Sequence, residues 1–258
     1  MERFDIPVDR RGTGSIKWDR AKGKFSTDKE LIPLWIADTD FKAPPEAMEA
    51  VAGRAEHGVY GYSFAGRDYI SSVAGWFNRE YGLGVEESWV CPTYGVVTAL
   101  YFTILALTEP GDRVMIHTPI YDPFYAIIRN TGREIVDCGL VHEDGTYRID
   151  YERMEEQMKA GVRLLIFCNP HNPTGRVWRR EELGRVAKLC GRYDVYLASD
   201  EIHCDLALFG NPFTSMLAFD EVHSRLAVYT SPGKTFSMTG LIVSNLLIPD
   251  PQLRERIM

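Results

Sequence analysis

The chain has 258 residues, 45% of them hydrophobic and 25% charged, a balance that excludes a disordered or fibrous protein and allows a sizeable globular core. Its net charge is -7 with 29 Lys and Arg scattered along the sequence, which sets aside nucleic acid as a partner. No apolar run approaches the roughly 20 residues of a membrane span, the charged N-terminus has no signal-peptide stretch, and five cysteines without a CxxC pair read as reduced thiols, so a cytoplasmic protein is expected.

In chain order, residues 1–44 read as an N-terminal arm, with turn residues from Arg11 to Ser15 and an apolar patch from Leu31 to Ala37 ahead of Pro44 and Pro45. Residues 45–258 read as one large domain, because no repeat, low-complexity tract or Ser/Gly linker divides them. From Tyr94 onward apolar runs of strand length alternate with amphipathic stretches, the pattern of an α/β fold in which helices flank a sheet. Helices are expected over Val96–Leu107, Tyr121–Thr131, Tyr151–Lys159 and Glu181–Tyr193, where apolar residues recur at three- and four-residue spacing. Strands are expected over Arg113–His117, Glu134–Cys138, Arg163–Cys168, Val195–Ser199, Leu226–Thr230 and Leu241–Ile248. Asp250 and Pro251 ahead of QLRERIM read as the capped start of a helix that runs into the last residue, so the natural product is expected to continue past Met258.

Four short segments carry chemistry. SPGKTF at Ser231–Phe236 sets Lys234 in a turn directly after an apolar strand, where open α/β sheets place ligands, although a solvated turn lysine has the same local look. CNPHNPTG at Cys168–Gly175 is a forced non-helical turn that aims Asn172 inward or simply connects two elements. SDEIHCDL at Ser199–Leu206 delivers Asp200 at a strand end, with His203 soon after. Asp200 there holds a ring nitrogen protonated, caps a helix, or joins His203, Cys204 and Asp205 on a metal; adjacent strand residues face opposite ways, and no metal site is expected. YGVVTAL at Tyr94–Leu100 opens a helix with a glycine turn whose N–H groups suit a phosphate, and no GxGxxG or GxxxxGK run points to a nucleotide instead.

In order and spacing, these motifs resemble those of fold-type I enzymes dependent on pyridoxal 5'-phosphate (PLP), the aspartate aminotransferase superfamily. With RRGTGSIKWDR at Arg10–Arg20, IPLWIADTDF at Ile32–Phe41, HGVYGYS at His57–Ser63 and HTPIYDPFY at His117–Tyr125, the sequence is similar to the MalY/PatB cystathionine, or cysteine-S-conjugate, β-lyase subgroup. The resemblance implies a mostly parallel PLP-transferase sheet, with Lys234 as the Schiff-base lysine, Asp200 as partner of the pyridinium nitrogen and Asn172 as donor to the ring hydroxyl. Tyr121 would stack on the ring, Gly95, Val96 and Val97 would form the phosphate turn with Ser231, and Tyr62 would cross the interface of a homodimer. His203, where related aminotransferases usually carry Tyr, would line the cofactor site, and Ile242 replaces a common phosphate-binding Arg; both departures point to the lyase subgroup.

The implied reaction is elimination of a thiol from a sulfur-containing amino acid, leaving pyruvate and ammonia. An aminotransferase of the same fold, and an inactive truncated PLP-binding protein, stand as alternatives. In the family an Arg of a C-terminal small domain binds the substrate carboxylate. Only 24 residues follow Lys234, so that domain is expected to be absent from this chain. Buried packing is the expected role of Cys168 and Cys204, and of Trp35, Trp76 and Trp89.

Overall fold

The structure, a computed structural model, describes residues 3–258, so the first two residues of the expected arm lie outside the description. In chain order the helices are α1 (Ile16–Asp19), α2 (Ala21–Lys24), α3 (Pro45–His57), α4 (Arg67–Tyr81), α5 (Val96–Leu107), α6 (Pro123–Asn130), α7 (Tyr151–Lys159), α8 (Arg180–Arg192), α9 (Pro232–Thr235) and α10 (Pro251–Ile257). The strands are β1 (Val90–Thr93), β2 (Arg113–Ile116), β3 (Glu134–Asp137), β4 (Val141–Glu143), β5 (Thr146–Arg148), β6 (Val162–Cys168), β7 (Tyr196–Asp200), β8 (Leu226–Thr230) and β9 (Ser244–Leu247). The chain divides into two units: residues up to Ser63 together with Pro232–Ile242, and Phe64–Ser231 together with Val243–Met258. The first unit therefore runs beyond the arm read at 1–44, and α3 contributes no buried residue to any core.

The second unit is a seven-stranded sheet of order β1-β9-β8-β7-β6-β2-β3, parallel from β3 through β8, with β9 antiparallel to both β8 and β1. Strand β6 (VRLLIFC) is a nearly continuous apolar run because both of its faces are covered. Its alternate residues feed two cores: Leu165 and Phe167 pack with α4, α7 and α8, while Leu164, Ile166 and Cys168 pack with α5, α6 and α10. Pro92 in β1 is tolerated because that strand lies at the sheet edge. Helix α10 forms as read: Asp250 caps it by accepting the Leu253 N–H at 2.7 Å, and Pro251 occupies the first position.

One strand starts later than its sequence suggests. Leu241–Ile248 is apolar almost throughout, yet Thr239–Leu241 forms a 3-10 turn and Ile242 takes the left-handed conformation (φ 55°), so pairing begins only at Ser244. No helix among the described residues is long and apolar enough to cross a membrane.

The first unit packs around charge instead of a large apolar core. Asp40 accepts from Lys17 Nζ at 2.7 Å, Trp18 Nε1 at 2.9 Å and Arg10 Nη1 at 3.0 Å, while Arg10 Nη2 donates to Asp38 at 2.7 Å. Trp35 donates to the Lys17 carbonyl at 3.0 Å and meets Phe25 edge to face. These contacts fix the IPLWIADTDF stretch against α1.

Candidate functional site

In the second unit, β1, β2, β6, β7 and β8 run in one direction, so the segments that follow them emerge along a single edge of the sheet. From β2 the chain steps outward to β3, whereas from β6 it steps the other way to β7 and β8. The order therefore reverses between β2 and β6, and that crevice is where open α/β sheets bind ligands. The expected site residues of this unit all lie at or just past these strand ends.

Asp200 is the last residue of β7 and only 5% exposed. Its carbonyl accepts from the Asn169 N–H at 2.9 Å, and its Oδ1 accepts from the Ile202 N–H at 3.1 Å. Its charge is felt by the groups around it. Burial raises the Tyr121 phenol and Asp200 adds to the rise; the buried Cys168 thiol is pushed up by the same two causes in the same order. Tyr121, past the end of β2, keeps 42% of its surface open and stands edge to face with Phe124.

Asn172 follows β6 and is half-buried. Its backbone N–H points to Cys168 Sγ at 3.3 Å, and no described protein group takes up its side-chain amide. His203 is half-buried at the start of the 3-10 turn Cys204–Leu206. The neighbouring Asp205 accepts hydrogen bonds from Trp76 and Tyr81, and the described residues contain no group of three or more His, Cys, Asp and Glu placed to hold a metal ion.

Gly95 precedes α5 with φ 86° and ψ 136°, a conformation that side chains resist, and no side chain caps the helix start. The first-turn N–H groups, those of Val96 and Val97 among them, therefore offer donors and the positive end of the helix dipole. Ser231 ends the segment after β8, and its hydroxyl donates to the Val243 carbonyl at 2.7 Å, so an approaching anion must turn that proton away from the carbonyl.

In the first unit, Lys234 sits in α9 with Nζ donating to the Ala37 carbonyl at 2.5 Å, which ties the lysine's turn to the IPLWIADTDF stretch. Tyr62 is fully exposed, beside exposed Val59 and Tyr60. Ile242, in its left-handed conformation, is 60% exposed.

The sequence reading passed over two buried histidines and a buried glutamate. His117 Nδ1 donates to the Cys138 carbonyl at 2.8 Å, and His171 Nδ1 pairs with Thr174 Oγ1 at 2.8 Å; both Nε2 atoms are buried without a partner among the described residues. Burial first, then the nearby His117, pushes His171 down to about 4. Glu201 is wholly buried directly after Asp200. Each of the three stands inside a motif already singled out, and their only further signal is a polar residue amid apolar neighbours.

A model of the family "Aminotransferase class I and II" matches residues 29–257. Cystathionine beta-lyase PatB of Bacillus subtilis is 39% identical over 98% of this chain and 66% of its own length. Protein MalY of Escherichia coli is 34% identical over 80% of this chain and 53% of its own. The chain thus spans between about half and two thirds of these relatives. Among solved structures, a PLP-bound putative aminotransferase from Clostridium difficile superposes with TM-score 0.94 at 34% identity, over 98% of this chain and 66% of that one. Cystalysin from Treponema denticola, which contains a pyridoxal 5'-phosphate cofactor, gives 0.92 at 36% identity over 98% and 65%.

Proposed function

Because this chain belongs to the class I and II aminotransferase family, we propose that it binds pyridoxal 5'-phosphate and serves carbon–sulfur β-elimination from cystathionine or a related cysteine S-conjugate. Its fold is that of the fold-type I PLP-dependent transferases. The observation that carries the cofactor reading is the donor set along the sheet edge: a buried carboxylate at the end of β7, an uncapped helix start behind Gly95, and an Asn172 amide without a partner among the described residues. These groups match, in turn, a ring nitrogen, a phosphate and a ring hydroxyl, so the residues present fit the cofactor.

In this reading the N–H groups after Gly95 and the hydroxyl of Ser231 hold the phosphate. Tyr121 covers the ring and His203 borders it. Asp200 holds a proton on the ring nitrogen. Lys234 would hold the cofactor, and its free amine would take the Cα proton as general base. Bound PLP supplies an electron sink for the charge left at Cα. A thiolate leaving from Cβ then completes the elimination, giving pyruvate and ammonia after hydrolysis. His203 and Ile242, at positions where related aminotransferases carry Tyr and Arg, support elimination over transamination.

We also propose a cytoplasmic homodimer in which Tyr62 reaches the partner's site, with residues 1–44 as an N-terminal arm. The full exposure of Tyr62 next to Val59 and Tyr60, and five buried free cysteines, support this.

The test is the visible absorbance of the purified chain after PLP addition, beside Lys234→Ala, followed by cystathionine and a pyruvate assay without any keto acid. A band that depends on Lys234, together with pyruvate, is expected. A band without pyruvate overturns the lyase activity for this chain, and no band overturns the cofactor reading.

A further inference from the structure

Two carboxyl groups follow one another at the end of β7, and the proposed function uses only the first. Glu201 has no exposed surface. Its Oε1 accepts from Ser199 Oγ at 2.9 Å and from the Met216 N–H at 2.8 Å, the Ser215 hydroxyl lies close enough to act on the same carboxyl, and Oε2 is buried with no hydrogen bond of good geometry among the described residues. Its backbone N–H donates to the Tyr229 carbonyl of β8 at 2.9 Å, so the Asp200–Glu201 pair is anchored both to β8 and to the turn at Ser215–Met216.

We propose that Glu201 is a positioning residue: it ties the carboxyl end of β7 to the Ser215–Met216 turn and leaves the negative charge of the pair to Asp200, where the cofactor's ring nitrogen needs it. The inference rests on the reading of Asp200 as partner of that nitrogen. An ionised Glu201 would strand a charged oxygen in an apolar interior, whereas a neutral acid leaves only a weakly polar one. The groups that act on it agree. Burial pushes Glu201 up to about 7, hydrogen bonds from Ser215, the Met216 N–H and Ser199 work against the rise, and the charge of Asp200 adds to it. Cys204 also lies within reach of Glu201, as a thiol held neutral chiefly by its own burial. Of the two carboxyls, Glu201 is the one that burial drives toward its neutral form.

Replacement by glutamine keeps an acceptor and removes the charge; alanine removes the tie. PLP affinity, titrated by absorbance, should fall roughly tenfold or more in Glu201→Ala and stay within about threefold of wild type in Glu201→Gln. A glutamine variant as weak as the alanine variant, or an alanine variant that binds normally, overturns the proposal. Carbon-13 NMR of the glutamate carboxyls in the cofactor-free wild-type chain gives a second readout. One signal should titrate near neutrality and vanish in Glu201→Gln, and a chain whose glutamates all titrate near about 4.3 contradicts the idea. Asp200→Ala separates the two layers: normal PLP affinity there refutes the role of Asp200 itself, whereas weakened binding there with an unaffected Glu201→Ala refutes only the role of Glu201.

Discussion

Asp40→Asn tests whether the first unit depends on one carboxylate. Burial disfavours the charge of Asp40, but hydrogen bonds from Lys17, Trp18 and Arg10 outweigh it and hold the carboxyl below its ordinary range. The Lys17 side chain is 7% exposed and that of Asp40 is 34% exposed. Stripping the anion from a fully buried pair costs about 3 to 5 kcal/mol, and an exposed pair is worth about 1 kcal/mol or less. With one partner buried, the other a third open, and Arg10 retaining Asp38, the expected loss is about 2 kcal/mol. Asparagine keeps the volume and one acceptor for Trp18, so the loss reports charge and not a cavity. Urea unfolding of the cofactor-free chain measures it, and adding Lys17→Met should return part of the loss, because the buried cation is then gone while its hydrogen bond to the Asp38 carbonyl is lost with it. A carboxyl whose folded pKa is depressed contributes stability above its unfolded value, about 3.9, and loses it as pH falls through the lower folded value. Wild type and Asp40→Asn should therefore converge in acid. A loss below about 0.5 kcal/mol at neutral pH, or a difference that acid leaves unchanged, refutes the reasoning.

Three other outcomes follow from named positions. Gly95→Ala forces a side chain onto φ 86° and ψ 136°, which costs about 1 to 3 kcal/mol; PLP affinity by absorbance titration should drop at least tenfold, or roughly 1.4 kcal/mol. Ile242→Gly relieves a left-handed β-branched residue that is already 60% exposed, and should stabilise the chain in urea by about 0.5 to 1 kcal/mol after the flexibility of glycine is discounted. His171, held down to about 4 against an unfolded value of about 6.5, contributes stability that is complete above the unfolded value and drains away as pH falls toward the folded one. The loss is at most about 3.5 kcal/mol, and His171→Gln should flatten that part of the stability-against-pH curve measured by thermal melting.

Much of the second unit was legible because its elements bury regular faces. Helices α5 and α7 begin and end where their spacing and their first residues indicate, and five of the six expected strands stand within a residue or two of their expected positions. Of the elements within residues 45–93, α4 carries an inward stripe through Ala74 and Phe77 that went unread, whereas α3 and β1 show no regular pattern for physical reasons. Helix α3 buries nothing, so its pattern carries no inward stripe, and β1 contains a proline that only an edge strand tolerates. The hairpin β4–β5 did carry a signal, Asp144-Gly145, and both residues adopt positive φ as such a turn requires, but its strands of three residues each are too short to show alternation.

The candidate site divides along the same line between pattern and environment. Lys234, Asp200, Asn172 and Gly95 could be picked out because a strand end, a turn or a helix start is written in local sequence. The Ala37 carbonyl that receives Lys234 Nζ could not, because a backbone acceptor has no side-chain signature and its partner lies 197 residues away. Glu201 shows the sharper limit: next to Asp200 the two residues read as equivalent carboxylates. What separates them is that Asp200 retains some exposure while Glu201 has none and leaves one oxygen unpartnered. Burial decides which of two adjacent acids keeps its charge, and burial is a property of the folded sheet and of the Ser215–Met216 turn that closes over it, fourteen residues further along the chain than Glu201 at its nearer end.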